Sequence, residues 1–281
     1  MPYYSLRAYY SEGMHRTGPQ LRLAANLKWL FTELPFRERF DAAAAAGFTA
    51  VEYASPYNYA PETVRGWLDQ AGLQQVLINT PTDPFGLERF GLACRPDRVV
   101  EYRDGIHRAL EYAHALDASF VHVLGGLRPV DGTGHDRALA TYTANIHWAA
   151  EQAATLGVTI LLEALNRRDA PGYILNSVEQ AADVAIAVGD FHVGVLFDVY
   201  HCQVDQGDIT RRLETLFPII RHVQIADAPS RTEPGTGELN WAHVFAVLRR
   251  LEYSGWIGCE YTPIAGTLSG LEWRDRFALN P

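Results

Sequence analysis

The chain is poor in cysteine, in long apolar runs and in positive charge. Cys94, Cys202 and Cys259 are odd in number and show no Cys-x-x-Cys spacing. They read as reduced thiols in a cytoplasmic protein rather than as a disulfide framework. No apolar run approaches the length needed to cross a bilayer, and the N-terminus has no hydrophobic signal segment, so no membrane is expected as a partner. A formal net charge of −9 argues against nucleic acid, because phosphate binding wants a basic face. An anionic small substrate is still compatible with that charge if a metal and a few Arg or His residues concentrate positive charge locally. There is no G-x-G-x-x-G or Walker loop after the first strand, and no linker or composition shift divides the chain.

What is present is an ordinary globular composition, 48% hydrophobic and 20% charged, in 281 residues, enough for one large α/β domain. Val158 to Leu162 is a continuous apolar run that stops at Glu163 and is followed at once by a polar, Gly/Pro-punctuated segment. A run too short for a helix and bounded by turn residues reads as a strand buried on both faces. The pattern recurs where Val193–Phe197 stops at Asp198, where Ile220–Val223 runs into Gln224, and where Trp256–Cys259 stops at Glu260. The intervals between these polar residues are 35, 26 and 36 positions, each long enough for a strand and a helix. Parallel α/β folds place ligands at the C-terminal ends of their strands. Four oxygen donors there, with no thiolate, suit a hard divalent ion, Mg²⁺ or Mn²⁺.

The chain in order supports the same architecture. Residues 1–20 carry no sustained period and read as an N-terminal extension, with Met14 a candidate alternative start. Strands are expected at Leu21–Leu27, Ala50–Tyr53 (containing Glu52), Gln75–Asn79 and Phe120–Leu124, then at the four positions above. Helices are expected at Pro35–Ala46 and Pro61–Ala71, stopped by Gly47 and Gly72, and then between each later pair of strands. Asp208 is read as the cap of one of these, and a short helix is expected near Leu268–Phe277. The long segments Thr80–Pro96 and Ala226–Asn240 have the character of functional loops. Eight strands alternating with eight helices over residues 21–281 predict a single-domain (β/α)8 TIM barrel.

Several stretches carry a family resemblance. They are Ala25-Asn26-Leu27 with Leu30–Phe36, then Asn166–Tyr173, Phe197–His201, His222–Asp227, Glu233–Glu238 and Gly258–Tyr261. In order and spacing they resemble the hydroxypyruvate isomerase family of xylose-isomerase-like TIM barrels. The resemblance covers nearly the whole chain from residue 21. It implies that Glu163, Asp198, Gln224 and Glu260 bind the metal and that Glu163 and Glu260 are the proton donor/acceptor pair. Moving a carbonyl between adjacent carbons needs a proton removed from one carbon and returned to the next, which two flanking carboxylates can do. The reaction so implied interconverts hydroxypyruvate and tartronate semialdehyde through a cis-enediolate.

The family pattern suggests a substrate contact at His201, three residues past Asp198. Arg231 is the candidate for the carboxylate of a small anionic hydroxy-keto substrate, with Arg89 and Lys28 as weaker ones. His122, inside the fourth strand, could face the barrel mouth but reads rather as a satisfied core histidine, and Trp148, Trp241 and Trp256 read as packing. Three segments depart from the family pattern. They are Ala164-Leu165 in place of Pro-Ile, a 79–86 loop without a Gly-Asp-Trp-like run, and Gly125-Gly126 in place of Ala-Gly. These loops shape the pocket, so 2-oxo-tetronate isomerisation and ketose 3-epimerisation stay open on the same metal site. An endonuclease IV-type barrel would need more histidine ligands and a basic groove. A non-catalytic sugar-acid-binding barrel would have no need of a complete ligand set. Barrels of this type often associate, which leaves a homo-oligomer open.

Overall fold

Short apolar runs interrupted by polar and turn residues become strands here, and the amphipathic segments between them become helices. The structure is a computed structural model that describes residues 19–82, 87–128 and 134–279. The expected N-terminal extension, apart from its last two residues, and Met14 lie outside the described residues. The strands are β1 (Arg22–Asn26), β2 (Ala50–Glu52), β3 (Gln74–Gln75), β4 (Leu77–Asn79), β5 (Phe120–His122), β6 (Thr159–Glu163), β7 (Val193–Asp198), β8 (Ile220–Ile225) and β9 (Trp256–Cys259). All pairings are parallel, in the order β3-β2-β1-β9-β8-β7-β6-β5-β4.

The two ends of that order are halves of one stave. At Val76, between β3 and β4, the amide donates to Val51 O (2.8 Å) and the carbonyl accepts from Phe120 N (3.1 Å). The sheet therefore closes on itself as eight staves, the barrel that the alternation of elements predicts. The principal outer helices are α1 (Phe36–Ala45), α2 (Pro61–Ala71), α3 (Val99–Leu116), α4 (His135–Ala154), α5 (Val178–Val188), α6 (Val199–Asp205), α7 (Ile209–Leu216) and α8 (Trp241–Arg250). Gly47 and Gly72 stop their helices as expected, at φ 85° and 67°, where a side chain would strain the backbone.

The alternation of side chains along each strand decides what faces the barrel axis. Leu23, Ala25, Val51, Val121, Ile160, Leu162, Val195, Phe197, Val223 and Ile257 join the layer packed under the helices. The opposite parity puts Ala24, Ala50, Leu77, Leu161 and Leu196 in a small inner cluster. Glu52, His122, Glu163, Asp198, His222 and Gln224 share that inward parity. Alanines and leucines fill the inner core, and the polar residues, His222 in mid-strand apart, stand at or near the C-terminal ends of their strands.

The structure departs from the sequence reading at three local points. α6 follows β7 without a loop, because the Asp198 carboxylate accepts from the backbone N–H groups of Tyr200 (2.7 Å) and His201 (3.3 Å) and so caps the helix itself. Asp208 stands at the start of α7 in a left-handed conformation (φ 52°), but its side chain makes no cap hydrogen bond. The C-terminal helix is broken into a 3₁₀ turn, Ser269–Leu271, and α9, Trp273–Arg276. Cys94, Cys202 and Cys259 are buried and unpaired. No helix among the described residues is long and apolar enough to cross a membrane.

Candidate active site at the barrel mouth

Glu163 and Asp198 end two consecutive staves, Gln224 is next to last in the third, and Glu260 immediately follows the fourth, its amide bonded to Ile225 O (3.1 Å). Asp198 and Gln224 are register partners. A cavity of about 530 Å³ opens at this end, lined by residues that include Lys28, Trp29, His122, Glu163, His201, Arg231 and Glu260. The side chains of Glu163, Asp198 and His201 each offer an atom within 4.8 Å of the others, all buried, a cluster that could hold a metal ion.

Electrostatics mark the same spot. Burial, with Asp198 and Glu260 nearby, raises the Glu163 carboxyl well above its ordinary range. Burial pushes Asp198 up to about 7 although Arg231 opposes the shift. Glu260 is raised as well, by burial first and against Arg231. Three carboxyls crowded together, Glu163 and Asp198 buried and Glu260 partly so, hold protons unless a cation replaces them. Gln224 adds an independent sign of fit, since its Oε1 is buried and has no hydrogen-bond partner. A buried acceptor left without a partner on the residue paired with Asp198 suits a divalent cation.

His201 sits on the first turn of α6 and is buried, not solvated. Its Nδ1 accepts from the backbone N–H of Asn166 (3.1 Å), and the Asn166 amide nitrogen lies 2.7 Å away. A backbone N–H can only donate, so in the neutral ring the proton resides on Nε2. Burial, with Arg231 nearby, holds His201 well below its ordinary pKa and therefore neutral. Nε2 faces Glu163 Oε1 at 3.9 Å and Asp198 Oδ2 at 3.7 Å. This histidine can present an N–H to the cavity.

Arg231 comes from the loop after β8. Asp227, fully buried at its root, accepts from Gly235 N (2.8 Å), Leu239 N (3.2 Å) and Trp241 Nε1 (2.9 Å), which folds the loop back on itself. Arg231 Nη2 bridges Glu260 Oε1 (2.8 Å) and Asp198 Oδ2 (3.3 Å), and its guanidinium stacks over Trp29 and Tyr200. Lys28 and Arg89 are exposed at the rim of the cavity, each over a neighbouring ring, Trp29 and Phe90.

Residues not assigned to the site from the sequence also shape it. Trp29 Nε1 donates to Glu260 Oε1 (3.1 Å). His122, read from the sequence as a satisfied core residue, instead lines the cavity with Nε2 unpartnered, 3.5 Å from Glu163 Oε2. Burial, with His222 and Lys28 nearby, lowers its pKa to about 3. The sequence sets it in the middle of a strand expected at Phe120–Leu124, whereas the strand ends at His122 itself. Trp241 packs within the core, as expected.

A closed parallel barrel with buried carboxylates and a neutral histidine at its C-terminal mouth defines a metal-binding α/β barrel of enzymatic character. Residues 40–277 match the family model described as Xylose isomerase-like TIM barrel, and the chain belongs to that family. It is 45% identical over 252 residues to 2-oxo-tetronate isomerase of Cupriavidus necator, covering 90% of this chain and 96% of the relative. It is 37% identical over 257 residues to hydroxypyruvate isomerase of Escherichia coli, covering 92% and 99%. Among solved structures, AP endonuclease, family 2 from Brucella melitensis superposes with a TM-score of 0.86 at 40% identity, covering 92% of this chain and 99% of the other. Relatedness to both kinds of isomerase, with the buried cluster, supports isomerase-type activity.

Proposed function

We propose that the protein is a metal-dependent isomerase that moves a carbonyl between C2 and C3 of a short hydroxy-keto acid. Hydroxypyruvate, interconverted with tartronate semialdehyde, is the smallest such substrate. The observation that carries this reading is the convergence of Glu163, Asp198 and His201 at the mouth of the barrel, with a buried, unpartnered Oε1 on Gln224, the register partner of Asp198. Glu163, Asp198, Gln224 and Glu260 are the side chains that would hold the metal. A divalent ion there would polarise the substrate carbonyl and favour the enediolate.

The chain's own residues supply the rest. Glu163 and Glu260 take the proton from one carbon and return it to its neighbour. Carboxyls raised by burial toward neutrality are suited to both directions. His201 donates from Nε2 to the developing oxyanion. Arg231, with Lys28 or Arg89 at the rim, pairs with the substrate carboxylate.

A four-carbon substrate, 2-oxo-tetronate, is the second reading. Ser55, Asn58, Asn79 and Thr82 line the cavity and could take its extra hydroxyl, and the higher identity to the Cupriavidus relative favours it. A nuclease is opposed by the acidic balance of the chain.

The test is turnover of both acids, followed by NMR in deuterated water, with Glu163→Gln and Glu260→Gln variants shown to be folded. Each variant is expected to lose about 10³-fold in kcat. Normal turnover by either would remove it from the acid/base pair. Inversion of a stereocentre without carbonyl movement would make the protein an epimerase instead.

A further inference from the structure

Glu52 ends β2 on the interior side and is fully buried. Its Oε1 accepts from Asn26 Nδ2 (2.8 Å) and from Gln224 Nε2 (2.6 Å), and its Oε2 lies 2.7 Å from His222 Nε2. A primary amide has one end that donates and one that accepts, and an acceptor at 2.6 Å admits only the donating end. With Nε2 held by Glu52, the Oε1 of Gln224 is turned away from it, buried and unpartnered. The opposite amide orientation would set two acceptors against each other and leave a buried N–H group unpartnered on the strand position paired with Asp198. Room for this contact is built into β9, where Gly258 pairs with Gln224, because a Cβ at Gly258 would come within 2.4 Å and 2.5 Å of the two Glu52 carboxylate oxygens.

We infer that Glu52 is a positioning residue for the metal site: it locks the Gln224 amide so that oxygen, not nitrogen, is presented to the ion. The inference rests on the reading of Gln224 as a ligand. Groups that orient a ligand from behind typically govern metal affinity by about 10- to 100-fold. Asn26 and His222 hold the carboxylate in turn, so the arrangement reaches from the ligand through Glu52 to β1 and β8.

The experiment is titration of the full-length protein with Mn²⁺, read from the loss of the free-ion EPR signal, which needs no substrate. Glu52→Leu, folded by circular dichroism, is expected to weaken Mn²⁺ binding about 10- to 100-fold. Glu52→Gln should restore affinity to within about threefold, because it keeps an acceptor for Gln224 while His222 can take up the new N–H by changing tautomer. In a Gln224→Met background, Glu52→Leu should cost nothing further. If Glu52→Leu does not fold, Gly258→Ala carries the same test by displacing the carboxylate.

Wild-type affinity in a folded Glu52→Leu or Gly258→Ala protein would overturn the inference, as would a loss that persists undiminished in the Gln224→Met background. Normal Mn²⁺ binding by Gln224→Met alone, or none by the wild type, would instead strike the ligand reading, and this inference with it.

Discussion

Arg231 Nη2 lies 2.8 Å from Glu260 Oε1 and 3.3 Å from Asp198 Oδ2, so one guanidinium bridges two carboxylates of the mouth cluster. Glu260, Asp198 and Glu163 hold its charge against the cost of burial. Arg231 thus neutralises part of the charge that a divalent ion would meet. Arg231→Ala should leave Mn²⁺ affinity equal or higher while raising KM for the acid substrate at least about tenfold. The metal-free variant should lose about 2 kcal/mol of stability, less than a fully orphaned buried ion costs because the carboxyls can take up protons. Thermal melts with and without Mn²⁺ check this. A weakened metal site would show that the guanidinium supports the ion rather than competing with it.

His201 offers a clean separation of ligand from donor. His201 stands in the cluster that could hold a metal, yet with Nδ1 accepting from Asn166 the neutral ring carries its hydrogen on Nε2 and serves there as a donor. His201→Gln should therefore keep Mn²⁺ affinity within about threefold and lose about 100-fold in kcat, the size of effect seen when one oxyanion donor is removed. A tenfold or greater loss of Mn²⁺ affinity would make the histidine a ligand.

Metal uptake should depend on pH in a definite direction. Burial pushes Asp198 up to about 7, and Glu163 is also raised, so in acid the ion must displace protons from both. Mn²⁺ affinity should rise at least about tenfold per pH unit below neutrality and more gently above it. Calorimetry in several buffers also counts the protons released. Affinity that falls as pH rises would contradict the carboxylate assignment.

The loop that delivers Arg231 depends on Asp227. Asp227→Asn keeps the shape but turns one acceptor into a donor facing Gly235 N and Trp241 Nε1, or Leu239 N. Urea unfolding should show a loss of about 2 kcal/mol. Substrate KM should rise with it, because the guanidinium loses its fixed base. An unchanged midpoint would show that the loop holds without this carboxylate.

The barrel was legible in the sequence because apolar runs of strand length recur with a polar stop at the end of each. That periodicity needs no tertiary information. Asp198 and Glu163 stand where those stops placed them. What the pattern could not reveal was orientation: that His122 faces the cavity, that Trp29 reaches Glu260 across more than two hundred residues, and that Asp198 starts a helix directly. Those facts depend on which parity of each strand points inward and on pairs that meet only when the ring closes. Glu52 did leave a trace, an ionisable residue within a strand buried on both faces, whose role depends on Gln224 from the far side of the ring.

The split stave at Val76 carries a consequence for association. Because its amide and carbonyl serve different neighbours, the described sheet has no border at which a foreign strand could add. Copies of this molecule that meet must do so through helices and loops, where side chains rather than backbone groups determine which partner fits.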